Sequence, residues 1–161
     1  MYGISIWGQA GKTIKDELLI LQKRALRLIF HVKSTQSAIP LFIESNIMPL
    51  SLRFIDSVAQ LMYDVTNNKA RLNVSKLFTH IKEIHNYETR SSSRNNLFSR
   101  SSRLNIQKDS FSRVGVRLLN QIPTHVRKLT KSNFKKEIRS ILFKSLESNG
   151  YYVDIPVIFN S

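Results

Sequence analysis

Apolar residues stand at Ile14, Leu18, Leu21, Ala25, Leu28 and Val32, an alternation of four and three that a helix gathers onto one face. Leu19, Leu26 and Ile29 widen that stripe, and the spacing predicts a helix over residues 14–32 that buries it. Thr13 is placed to cap the start, while Asp16 and Glu17 fall in the first turn, where the helix dipole favours negative charge. Lys15, Lys23, Arg24 and Arg27 occupy the opposite flank, which reads first as a solvated basic face. Two further segments repeat the helical period. Pro49 precedes the first, over 50–66, with Leu52, Ile55, Ala59, Met62 and Val65 at core spacing and Asn67 and Asn68 ending it. The second, over 133–146, is capped by Ser132 and carries Phe134, Ile138, Ile141, Leu142 and Leu146.

The stretches between these helices are less regular. YGISIWG, with Tyr2, Ile4, Ile6 and Trp7, reads as a short strand or the end of a helix, and Pro40 opens a short apolar piece. A turn of helix is expected at 74–81. FSRVGVRLLNQIP is expected to turn or extend at Gly115 and then form a one- or two-turn helix that Pro123 closes. Gly150 breaks the last helix ahead of an apolar tail that packs as an extended segment. The expected fold is therefore mostly α: a small helical bundle with a long basic loop or arm and, at most, a short β-hairpin. Three parts follow: residues 1–84, helical; residues 85–110, a basic flexible arm; and residues 111–161, helical, packing on the first part and ending in the tail.

With 42% hydrophobic residues in 161, the chain can bury a core, but its formal charge of +14 far exceeds what solubility requires. The excess is local. Between residues 89 and 136 twelve Lys and Arg face one acid, Asp109, which leaves +11 there, while thirteen bases and ten acids nearly balance elsewhere. Such a field suits a polyanion, nucleic acid before an anionic membrane. The absence of cysteine removes disulfides, thiol nucleophiles and Cys-based zinc sites. No segment approaches the roughly 20 apolar residues of a membrane span, and no basic leader precedes the first apolar stretch, so a soluble intracellular protein of nucleus or cytoplasm is expected.

Catalytic ingredients are sparse. His31, His80, His85 and His125 include no pair four apart that would turn two imidazoles to one metal, and GQAGK at 8–12 is too short for a phosphate-binding loop. Tyr151-Tyr152-Val153-Asp154 offers one carboxylate, whereas two-metal phosphoryl transfer needs several that converge. Neither metal nor cofactor is expected.

The basic segment is more informative. Arginines spaced among Ser, Asn and Thr can each meet a phosphate while hydroxyl and amide groups position the backbone, and this singles out Arg90, Arg94, Arg100, Arg103, Arg113 and Arg117, with Lys128 beyond them. Tyr87, Phe98 and Phe111 are interleaved and can stack on unpaired bases, although Phe111, beside Val114, reads better as core.

Several ordered stretches carry a resemblance. YGISIWG, LLILQKRALRLIF, LFIESNIMPL, IHNYETRSSS, SFSRVGVRLLNQIP and SNFKKEIRSILF resemble, in sequence order, the region C-terminal to the palm in jockey-like non-LTR retrotransposon reverse transcriptases. The resemblance spans about residues 2–146. It departs at Leu119-Asn120, where the family usually has Trp-Asn before the Ile-Pro or Leu-Pro pair. The resemblance implies a thumb and post-thumb fragment of an RNA-directed DNA polymerase, lacking the catalytic aspartates and inactive alone. Its helices at 14–32 and 50–66 would grip a template and primer backbone. It implies RNA or DNA as partner, together with a palm-containing polypeptide, and points to Asn86, Tyr87, Thr89 and Arg90 as contacts. The alternative is a transposable-element remnant that binds protein or has no retained role.

Overall fold

A computed structural model describes residues 3, 4, 8, 11–84, 87–99, 101, 110–152 and 158. Among them the helices are α1 Lys12–Ile29, α2 Ile39–Glu44, α3 Leu50–Thr66, α4 Leu72–Ser75, α5 Ile81–Ile84, α6 Arg90–Ser93, α7 Phe111–Gln121, α8 Thr124–Arg127 and α9 Lys131–Asn149. The protein is mostly helical, and α3 is its axis: α1, α7 and α9 all pack on it. Pro49 is the N-cap of α3, Asn67 its C-cap, and Asn68 adopts a left-handed φ of 55° that turns the chain away. Leu52, Ile55, Ala59, Met62 and Val65 are buried as their spacing predicts, joined by Val58 and Tyr63. On α9, Phe134, Ile138, Leu142 and Leu146 are buried, and the helix closes at Gly150, whose φ of 82° a side chain would strain. Phe134 lies against the Tyr63 ring at 4.6 Å, and the Tyr63 hydroxyl donates to the Leu129 carbonyl at 2.8 Å. Thr130, not Ser132, precedes α9, and no side chain caps it.

Beneath this apolar packing lies one ionic knot. Asp56 of α3 is fully buried, and its carboxylate accepts from Arg53 at 2.5 Å and from Gln60 at 2.7 Å. Arg139 of α9 brings its Nε to 3.6 Å from the same carboxylate, an ion pair that ties the two long helices. Two cations thus share one carboxylate.

Helix α1 departs from expectation in which face it buries. Leu19 and Leu26 enter the core, whereas Ile14, Leu21 and Leu28 are 55%, 57% and 76% exposed. The intervening Gln22 explains the choice. Its Oε1 accepts the Leu50 N–H at 3.0 Å, satisfying one of the unpaired donors at the start of α3, so the face that contains it turns inward. The helix begins at Lys12 after Gly11, which places Thr13 inside it and leaves no acid in the first turn, and it ends at Ile29. His31 follows with a φ of 53°.

Helix α7 also differs. It runs unbroken through Gly115, where a turn or strand is expected from glycine's low helix propensity. The glycine is there for space: a Cβ on it would stand 2.6 Å from Met62 Sδ, and Met62 is fully buried. Gly115→Leu is expected to destabilise the fold by about 1–2 kcal/mol through overpacking, and Met62→Ala in the same chain to restore part of it, measured by urea unfolding.

The turn expected at 74–81 is two separate turns, α4 and α5, and in place of a β-hairpin a single antiparallel bridge joins His80 to Leu97 among the described residues. After α9, Tyr151 meets Phe42 edge-on at 5.8 Å, with Lys23 Nζ 4.0 Å above its ring, and the Ser51 hydroxyl donates to its carbonyl. The Tyr152 hydroxyl donates to Asp16, and burial, then this bond and the Asp16 charge, push its phenol up to about 12. Ile4 and Ile158 are buried; the expectations for Tyr2, Ile6, Trp7 and Asp154 lie outside the described residues.

Candidate nucleic-acid interface

The stretch expected as an arm is, over 87–99, built onto the bundle. Thr89 caps α6 in a reciprocal box: its hydroxyl accepts the Ser92 N–H at 3.1 Å, and its own N–H donates to the Ser92 hydroxyl at 2.9 Å. Asn95 then turns the chain with a φ of 54°, and Leu97 is buried to 1% exposure. Asn120 holds that residue from α7. Its amide accepts the Leu97 N–H at 3.0 Å and donates to the Leu97 carbonyl at 2.9 Å, imitating a β-ladder. On the other side Phe98 N–H donates to Thr79 O and Ile81 N–H to Asn96 O.

Arg127 locks the same segment. Its guanidinium donates to the carbonyls of Ile122, Asn120 and Arg94 at 2.7, 3.2 and 3.2 Å and to Asn96 Oδ1 at 3.0 Å. Every acceptor is neutral, so the charge is fixed in place without being cancelled. Burial, and then repulsion from Arg94, lower the Arg127 pKa.

These supports shape a groove of about 580 Å³ at the C-terminal end of α3. Among the described residues Arg90, Arg94, Arg127 and Lys128 line it, with polar groups from Thr66, Asn67, Ser93, Asn95 and Thr124 and no carboxylate. A second hollow of about 280 Å³ shares Arg94, Thr124 and Arg127 and continues to His125. The surface can bind an extended polyanion by charge and by hydroxyl and amide donors, the contact set of a phosphate backbone.

Of the residues singled out from sequence, the structure brings Arg90, Arg94 and Lys128 together. Thr89 borders them with its hydroxyl engaged in the cap. Tyr87 is exposed, and neither it nor Arg113 and Arg117 on α7 line the groove. Asn86, Arg100 and Arg103 lie outside the described residues. Sequence reasoning missed Arg127 as the lock and Asn120 as the latch. An amide between Leu119 and Ile122, both buried, was the available signal, because a polar side chain there needs a partner.

Among the described residues no three His, Asp or Glu gather as a metal would require, and no helix is long and apolar enough to cross a membrane. No family model, curated protein or solved structure matches this chain.

Proposed function

We propose that the chain binds RNA or DNA through backbone phosphates in the groove between α3, α6 and α8, as a fragment of a non-LTR retrotransposon reverse transcriptase without its own catalytic centre. The observation that carries this reading is the lining itself, four cations and no acid among the described residues. The resemblance adds support, because two of its motifs adjoin the groove: IHNYETRSSS supplies Arg90 and Ser93 and ends just before Arg94, and SFSRVGVRLLNQIP ends at Pro123, ahead of Thr124, Arg127 and Lys128. Backbone grip is sequence-tolerant, since it uses charge and shape and leaves base edges unread.

The triple variant Arg90→Ser, Arg94→Ser, Lys128→Ser tests the reading while leaving the structural Arg127 in place. Titrating a single-stranded RNA across a salt series, the slope of log K against log salt is expected to flatten by about 2, which is three phosphate contacts at the single-strand factor, with affinity falling about 10- to 100-fold. An unchanged slope in a variant of unchanged helicity would sink the proposal.

A further inference from the structure

The exposed face of α1 retains the heptad spacing that a core would have used. Ile14, Leu21 and Leu28 stand one heptad apart, Ala25 lies exposed between the latter two, and Leu18 and Val32 are half-buried at its margins. This is the spacing of a coiled-coil seam, onto which a second helix can pack its own residues at three and four spacing. Near its end Leu28 and Val32 line an open hollow of about 300 Å³ rimmed by Arg24, Arg27 and His31, where an apolar side chain can seat beside a carboxylate. Arg27 is pre-set there, because its Nε and Nη2 donate to the Gln36 carbonyl at 3.1 and 2.7 Å, leaving Nη1 for a ligand.

We propose that this face binds an acidic amphipathic helix of a partner protein, apolar at its a and d positions and carrying Glu or Asp beside them. Charge decides between this partner and a second copy. Arg24 and Arg27 rim the hollow beside Leu28, while Lys23 is turned away to the Tyr151 ring; of the two acids of the helix, Asp16 is already engaged by Tyr152, which leaves Glu17. A second copy would bring the same Arg24 and Arg27 rim to the contact, whereas an acidic helix meets it with opposite charge. The site lies at the other end of α3 from the groove, since Gln22 bonds Leu50 while Thr66 and Asn67 line the groove, so this inference does not rest on the nucleic-acid reading.

The test uses the full chain and two synthetic helical peptides with leucine at a and d, one with glutamate and one with lysine at the flanking positions. By fluorescence anisotropy the glutamate peptide is expected to bind more than about tenfold tighter than the lysine peptide. Leu21→Glu with Leu28→Glu, both exposed and therefore tolerated by the fold, removes that binding and leaves RNA affinity unchanged. Arg24→Glu narrows the preference between the peptides. Equal binding of both, binding of neither, or glutamate-peptide binding that survives Leu21→Glu with Leu28→Glu overturns the proposal. So does sedimentation showing a dimer of the parent chain that this double variant dissolves, which would assign the face to a second copy.

Discussion

Asn120→Ala is expected to release residues 87–99 from the bundle at a cost of about 3 kcal/mol. The figure follows from what the amide leaves behind: the Leu97 N–H and carbonyl, in a residue 1% exposed, lose their partners together, and each buried unsatisfied group costs about 1–3 kcal/mol. The loss is local before it is global, because α3, α7 and α9 keep their own packing. Hydrogen exchange would show it as lost protection at Leu97, Phe98 and Ile81 with little change at Ile138 and Leu142. Asn120→Asp retains the acceptor for the Leu97 N–H and loses the donor, so its effect is expected to be intermediate. Protection at Leu97 that survives Asn120→Ala would show that Arg127 holds the segment unaided.

Asp56→Ala acts on the whole fold. Removing the carboxylate leaves Arg53 and Arg139 without their shared partner and strips the bond from Gln60; breaking a buried pair from one side costs about 3–5 kcal/mol. Because the two arginine side chains are 32% and 37% exposed, water recovers part of this, and about 3 kcal/mol is expected. At a urea m-value of about 1.5–2 kcal/mol/M, the midpoint falls by about 1.5–2 M. Asp56→Asn loses the charge and one of the two acceptor oxygens but can still accept from Arg53, and is expected to cost less. A midpoint unmoved by Asp56→Ala would mean that the apolar packing of α3 on α9 carries the contact alone.

How far the sequence discloses the fold depends on whether one local rule decides each element. Helix α3 was readable end to end, since Pro49, the buried spacing and the two asparagines all name the same bounds. Helix α9 was readable from its buried spacing and its stop at Gly150, but not its start, which lies ahead of Ser132 and has no side-chain cap. Helix α1 was readable as a helix but not in its orientation. Its apolar residues cover two stripes, and the one that turns inward is fixed by a glutamine whose partner lies 28 residues away. The groove was legible as a set of charges, Arg90, Arg94 and Lys128. Its form was not, because composition marks 87–99 as unpackable while one leucine, one amide and backbone bonds suffice to pack it. Glycine at 115 looked like a break for want of any sign of the sulfur that needs its space.

Helix α3 also sets a distance. Its 17 residues span about 25 Å, about three times the screening length of about 8 Å in physiological salt. Charges gathered at its Leu50 end and at its Thr66 end are therefore insulated from each other, and the helix serves as a fixed spacer. Filling one end leaves the potential at the other nearly unaltered, so any cooperation between the two must travel through the rigidity of the helix itself.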